Sequence, residues 1–131
     1  ATRLVHAQAN VYTHVLMQPL AGMLAEVSPA GIDTFFYATS CAENTEAAVT
    51  LAKGARGRPN IVVLRGSFRG RTPQAVAMTT SKTVYRAGHA PLPSGIFIAP
   101  YPNVRADDVQ AEVARAVAGF DELLISVTAP S

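Results

Sequence analysis

Apolar side chains recur every three or four residues in several stretches of this chain, which is the spacing of helices with one buried face. The spacing predicts helices over residues 19–27, 41–55 and 106–124, with a shorter one over 73–78. Pro19 suits a helix start, while Ser28-Pro29 and Gly57-Arg58-Pro59 are typical of segments that follow a helix end.

Between the helical stretches lie short apolar runs without polar alternation, which is typical of strands buried on both faces. They predict strands over residues 34–37, 61–64 and 96–99, and residues 79–95 are expected to form an extended loop. Strands that alternate with helices indicate an α/β fold with a mainly parallel sheet and flanking helices on both faces. Such a sheet is small, and a further strand is expected after the last helix. We therefore expect residues 1–131 to be a single, truncated segment of an incomplete domain.

The best-supported helix start is Ser40-Cys41-Ala42-Glu43. Ser40 and Glu43 have the spacing of a capping box, in which each residue satisfies an unpaired N–H group of the other. Unpaired N–H groups at such an end, here at Ser40, Cys41 and Ala42, can receive phosphate oxygens. The same spacing is common in helices that bind nothing. Cys41 is open to two other interpretations, a reactive thiol or a small packing residue.

A second segment, residues 67–72, also follows an apolar run and offers groups that bind ligands. Phe68 could stack on a planar cofactor, with Gly70 keeping the backbone clear. Arg69 and Arg71 could each bind a carboxylate or a phosphate through paired hydrogen bonds. Taken alone, a phenylalanine after a strand is more often part of a core, and loop arginines are usually solvated.

Composition narrows the classes of function. The chain has 49% hydrophobic and 15% charged residues, which favours a folded protein, and its net charge of +2 is too small to favour nucleic acid. His6, His14 and His89 are scattered, so no metal site is expected. One cysteine fits a reducing compartment. No apolar stretch reaches the ~20 residues that cross a bilayer, and the N-terminus is unlike a signal peptide, so we expect a cytoplasmic protein with no membrane partner.

Short motifs in a consistent order resemble those of the class III aminotransferases, the family of 4-aminobutyrate, acetylornithine and ornithine aminotransferases. The resemblance runs from about His6 to Pro102. It is carried by QAN (8–10), DTFF (33–36), TSCAE (39–43), EAAV (46–49), GRPNI (57–61), GSFRGRT (66–72), AMTTSK (77–82), YRAG (85–88) and Pro91-Leu92-Pro93. It implies the N-terminal part of the large domain of a fold type I enzyme that depends on pyridoxal 5′-phosphate.

The resemblance implies roles for individual residues. In the family, backbone N–H groups at the positions of Cys41 and Ala42, next to Ser40, hold the cofactor phosphate. The aromatic residue at the position of Phe68 stacks on the pyridine ring. In several members, the arginine at the position of Arg71 binds the substrate carboxylate.

The chain departs from the family motifs at a few positions. Cys41 replaces a glycine, Thr39 replaces an asparagine, and Arg69 stands beside the stacking ring where the family usually has a histidine. Neither Lys53 nor Lys82, the only lysines, follows a buried strand, where a lysine could be desolvated for Schiff-base chemistry. In the family that lysine lies farther along, at a position beyond Ser131, so no catalytic residue is expected here and the isolated chain is expected to be inactive.

The family reaction transfers an amino group from an amino acid, such as an ω-amino acid, to a 2-oxo acid. Family members are dimers with active sites at the subunit interface, so the resemblance implies a homodimer in the complete enzyme. Two other interpretations of the chain remain open at this point. One is a truncated, non-catalytic remnant of such an enzyme, and the other is an unrelated α/β module that binds phosphate or another anion.

Overall fold

A computed structural model describes residues 15–127 of the chain. These residues divide into two compact units, one up to residue 38 and the other from residue 39 onward. The described part of the first unit contains helix α1, Met17–Val27. It begins two residues before Pro19, which still lies in the first turn, where a missing N–H removes no intrahelical hydrogen bond. It ends at Ser28, as the sequence predicts.

The strand predicted over residues 34–37 is wrong. These residues have no regular secondary structure, none of residues 15–127 pairs with them in a sheet, and the side chain of Phe36 is 72% exposed. The apolar run gives the segment the composition of a buried strand. A strand also needs a neighbour that accepts and donates its backbone hydrogen bonds, and the described residues supply none here.

The second unit has an α/β arrangement around a small parallel sheet. Helix α2, Cys41–Arg56, ends at Gly57, whose φ of 64° is the left-handed conformation that favours glycine after a helix. Strands β1, Ile61–Leu64, and β2, Ile96–Ala99, pair in parallel with Ile61 opposite Ile96. Both strands have the predicted bounds, and their parallel pairing confirms the predicted α/β class.

The connection between the two strands contains helix α3, Pro73–Ala77, which ends one residue earlier than predicted. The predicted loop over residues 79–95 contains one short 3₁₀ turn, Thr83–Tyr85. Helix α4, Val109–Ser126, starts three residues later than predicted because the side chain of Asp108 caps it, accepting the N–H of Ala111 at 2.9 Å.

The core lies between α2, the sheet and the end of α3. Val49, Val63 and Met78 are buried together, with isoleucines of both strands packed against them. Residues 75–79 are almost completely buried, so α3 is held on most sides. Helix α4 packs against β2, but most of its apolar side chains stay well exposed, with Val117 at 54% and Phe120 at 37%. The two described strands are therefore too narrow to cover this helix.

No helix among residues 15–127 is both long and apolar enough to cross a membrane. Within the same range, no group of three or more His, Cys, Asp or Glu side chains has a spacing that could hold a metal ion. His6 and His14 lie outside the described residues.

We expect the stability of the chain to depend on pH through Glu112 on α4. Its carboxylate accepts hydrogen bonds from the Arg115 guanidinium at 3.1 and 2.8 Å and from the N–H of Asn103 at 3.0 Å. These bonds, those from Arg115 first, lower the pKa of Glu112 from 4.5 to about 2. A lowered pKa in the folded chain means that the stabilisation is complete above pH 4.5 and is lost as the pH falls towards 2.

NMR titration of the Glu112 carboxyl carbon should therefore give a pKa well below 4.5, and Arg115→Gln should raise it. Because the pair is exposed, Glu112→Gln should lower the melting temperature only slightly at neutral pH, and the difference should shrink towards pH 2. An unshifted Glu112 pKa in the unmodified chain would contradict this account.

Candidate functional site

The N-terminus of α2 has the capping box that its sequence predicts. The hydroxyl oxygen of Ser40 accepts the N–H of Glu43 at 3.2 Å. The Glu43 carboxylate in turn accepts the N–H of Thr39 at 2.9 Å and the hydroxyl groups of Thr39 and Ser40. Hydrogen bonds from Thr39 are the main cause that lowers the pKa of Glu43. The Glu43 arm of the box thus reaches Thr39 as well as Ser40.

Cys41 and Ala42 form the first turn of α2, directly after this cap. The Cys41 side chain is exposed, and Ala42 is half-buried. Among residues 15–127, the backbone N–H groups of Cys41 and Ala42 have no hydrogen-bond acceptor, as the geometry of a first helical turn dictates. These two donors, at the positive end of a sixteen-residue helix, can therefore receive an anion.

The loop over residues 67–72 is fixed by two threonines that follow α3. Thr79 is completely buried; its hydroxyl oxygen accepts the N–H of Arg69 at 3.0 Å and lies 3.1 Å from the carbonyl oxygen of Gly70. The hydroxyl of Thr80 accepts the N–H of Ser67 at 3.0 Å and donates to the carbonyl of Leu64 at 2.9 Å. The backbone on both sides of Phe68 is thus held in one conformation.

Gly70 brings this loop against the phosphate-binding turn that the sequence predicts. Its φ is 129°, and a Cβ atom at this position would lie 2.6 Å from the Cβ of Ala42 and 3.1 Å from the Cβ of Ala75. The glycine backbone therefore packs between the first turn of α2 and helix α3, where no side chain fits. The two segments that the sequence marks as candidate sites are consequently in direct contact.

A carboxylate joins the same two helices. Oε1 of Glu46 on α2 accepts the hydroxyl of Thr72 at 2.6 Å and the N–H groups of Gln74 at 3.1 Å and Ala75 at 3.3 Å. Glu46 therefore supplies the acceptor for the first turn of α3, whose cap residue Thr72 makes no side-chain cap of its own.

The ring of Phe68 is 49% exposed, so it is not the core residue that one interpretation of the sequence allowed. It makes an edge contact with Tyr85, with ring centroids 5.2 Å apart and planes at 74°. The guanidinium carbon of Arg71 lies 5.9 Å from the centroid of the same tyrosine ring, which is a cation–π distance. Tyr85 thus contacts both Phe68 and Arg71, and much of the Phe68 ring stays exposed to solvent.

The side chain of Arg69 points elsewhere. It lines an open cleft of about 530 Å³ together with Asn44, Thr45 and residues of α2 and β1. Arg69 and Arg71, which are separated only by Gly70 in the motif, therefore face different surroundings.

The two lysines lie apart from these residues. Lys53 is near the end of α2, and Lys82 lines a separate cavity of about 220 Å³ with Arg65 and Arg86. Neither lysine is among the side chains that line the cleft beside Arg69.

Sequence reasoning missed four residues that build this region: Glu46, Thr79, Thr80 and Tyr85. Their partners are up to 29 residues away, so spacing along the chain does not reveal what they contact. The signal in the sequence is that all four lie in motifs that carry the family resemblance, EAAV (46–49), AMTTSK (77–82) and YRAG (85–88).

Comparison with known proteins agrees with this arrangement. Residues 1–129 match the family model of class III aminotransferases. The acetylornithine aminotransferase of Methanothermobacter thermautotrophicus is 36% identical over 119 residues, which cover 89% of this chain and 30% of that protein. The 5-aminovalerate aminotransferase of Pseudomonas putida is 29% identical, over 87% of this chain and 28% of that protein. This chain therefore spans about a third or less of its curated relatives.

Solved structures give the same result for the fold. An (S)-enantioselective omega-transaminase from Thermomicrobium roseum superposes with a TM-score of 0.70 at 26% identity, over 82% of this chain and 26% of that one. The omega transaminase from Pseudomonas jessenii, solved in complex with PMP, gives a TM-score of 0.76 at 16% identity and shares the fold over 92% of this chain. The α/β unit thus has the fold of the corresponding part of the fold type I transaminases. Since the family model covers nearly all of its residues, the chain belongs to the class III aminotransferases.

Proposed function

We propose that this chain supplies the phosphate-binding and ring-binding part of an aminotransferase that depends on pyridoxal 5′-phosphate. The observation that carries the proposal is the contact of Gly70 with Ala42. It sets the open N–H groups at the start of α2 beside a loop that carries an exposed phenylalanine ring and an arginine. A phosphate joined to a flat aromatic ring is the kind of ligand that needs these groups together.

The residues present fit this cofactor. Two N–H donors without an acceptor among residues 15–127, at the capped start of α2, suit a phosphate dianion. The half-exposed ring of Phe68 suits stacking on a pyridine ring, because Tyr85 touches only part of it. When bound, the cofactor supplies the electron sink for reaction at the amino-bearing carbon.

The site residues have the following proposed roles in binding the cofactor and the substrate. Ser40, Cys41 and Ala42 bind the phosphate, and Phe68 orients the ring. Arg71 binds the carboxylate of the substrate as a fixed cation with two parallel donors. Arg69 adds positive charge at the cleft beside α2.

The wider activity is proposed from the family and from its named relatives. We propose that the complete protein transfers the amino group of an amino acid, such as an ω-amino acid, to a 2-oxo acid, as a cytoplasmic homodimer. The names of the relatives, acetylornithine and 5-aminovalerate aminotransferase, favour a donor with an amino group at the end of a chain. The 131-residue chain alone is expected to be inactive, because neither of its lysines is placed for Schiff-base chemistry.

Binding of pyridoxine 5′-phosphate tests the proposal. This compound has the ring and phosphate of the cofactor but no aldehyde, so it cannot form an imine with Lys53 or Lys82. In equilibrium dialysis the chain should bind it more tightly than inorganic phosphate. Phe68→Leu should weaken that binding about fivefold, because ring stacking contributes on the order of 1 kcal/mol.

The matched control is Phe120→Leu, which makes the same change in a partly exposed ring of α4. It should leave the affinity for pyridoxine 5′-phosphate unchanged. The proposal fails if the chain does not distinguish pyridoxine 5′-phosphate from inorganic phosphate. Such a result would favour the non-catalytic interpretation, in which at most a weak anion site remains.

A further inference from the structure

Glu46 is a half-buried carboxylate whose hydrogen bonds all lead away from its own helix. Its Oε1 atom accepts from Thr72, Gln74 and Ala75 at 2.6 to 3.3 Å. Among residues 15–127 it forms no ion pair, so no cation competes for it. The carboxylate therefore binds residues 72–75, at and just after the end of the loop over residues 67–72, here called the Phe68 loop.

The position of Glu46 on α2 gives these bonds a specific consequence. Ala42 lies one helical turn before Glu46, so both point from the same face of α2. Gly70 packs against Ala42. Thr72 and Gln74, which follow Gly70, donate hydrogen bonds to Glu46, which lies four residues after Ala42 on α2. The Phe68 loop is thus fastened to the first two turns of α2 on both sides of Arg71.

We propose that Glu46 is a positioning residue that sets the separation between the phosphate-binding N–H groups of Cys41 and Ala42 and the ring of Phe68. This inference rests on the proposed function. A ligand that contacts both places gains affinity from each only when their separation matches its length. Inorganic phosphate contacts one place alone and does not sense that separation.

Two variants of Glu46 separate positioning from simple stability. Glu46→Ala removes the acceptor and should weaken pyridoxine 5′-phosphate binding about tenfold, while the affinity for inorganic phosphate changes by less than about twofold. Glu46→Gln keeps a carbonyl oxygen at nearly the same place, so its affinity should stay within about threefold of the unmodified chain. Glu122→Ala, on the exposed face of α4, removes an equal charge and should have no effect.

Amide hydrogen exchange gives a second measurement that needs no cofactor. The N–H groups of Gln74 and Ala75 should exchange faster in Glu46→Ala than in Glu46→Gln, because only the alanine variant lacks their acceptor. Equal exchange in the two variants would overturn the inference. An equal loss of affinity for both ligands would also overturn it, because Glu46 would then only stabilise the fold.

The dialysis results also distinguish this inference from the proposed function. If the unmodified chain prefers pyridoxine 5′-phosphate and Glu46→Ala keeps that preference, the positioning role is wrong and the proposed function stands. If the unmodified chain shows no preference, the proposed function fails and the positioning role fails with it.

Discussion

Replacing Gly70 with alanine is expected to destabilise the chain by about 2–4 kcal/mol. The new Cβ would lie 2.6 Å from the Cβ of Ala42, 3.1 Å from its Cα and 3.1 Å from the Cβ of Ala75. One of these is backbone and the others are short, stiff side chains, so none can move aside cheaply. The φ of 129° adds strain for any residue with a side chain.

Gly88→Ala is the matched control for this prediction. Gly88 also has a positive φ, 77°, but nothing lies within 4 Å of an added Cβ. It should cost only the backbone strain, about 1 kcal/mol. Urea unfolding of the two variants measures the difference, and similar losses would show that the Gly70 contact with Ala42 is looser than described. Gly70→Ala should also abolish the preference for pyridoxine 5′-phosphate, since it pushes the loop off α2.

Thr79→Val is expected to cost about 1–3 kcal/mol although the two side chains have nearly the same shape. Thr79 is fully buried, and its hydroxyl is the partner of the Arg69 N–H and lies within hydrogen-bond distance of the carbonyls of Gly70 and Ala75. A valine methyl group would leave the Arg69 N–H without its acceptor. The lost hydrogen bond holds the backbone next to Phe68, so the affinity for pyridoxine 5′-phosphate should fall together with the stability.

The control for Thr79 is Thr50→Val on α2, where the hydroxyl is exposed. The same chemical change there should alter the free energy of unfolding by less than about 0.5 kcal/mol. Denaturant titration of both variants, followed by dialysis against pyridoxine 5′-phosphate, checks the prediction. Unchanged stability in Thr79→Val would mean that water replaces the lost hydroxyl, and that the loop is less enclosed than its burial indicates.

The sequence predicts that the two candidate segments serve one site, but it does not show that they are neighbours in space. The motif resemblance predicts phosphate-binding residues in 39–43, and a stacking ring and an arginine in 66–72. Their contact depends on Gly70, which the sequence suggested only as clearance for a ligand. In the structure its missing side chain makes room for Ala42 and Ala75. The roles of the individual site residues stay predictions until the binding measurements are made.

Interactions between residues close together in the chain account for the helix ends that the sequence predicted well. The cap at Ser40 and the end of α2 at Gly57 depend on side chains and backbone angles within a few residues of one another. Both were confirmed, because the interactions that fix them are already present in a short segment. The bounds of β1 and β2 were also confirmed, although the pairing of the two strands joins distant segments. The predicted start of α4 was three residues too early, because Asp108 lies outside the helix and caps it.

The sequence by itself thus determined the family, the α/β class and the order of helices and strands in residues 39–127. Tertiary structure decided the rest. Residues 34–37 have a strand's composition but pair with no strand among the described residues, and the Phe68 loop takes its shape from Glu46, Thr79 and Tyr85. Hydrogen bonds between distant segments form only when folding brings the two segments together. Closing the loop between them costs conformational entropy, and a local sequence pattern carries no information on that cost.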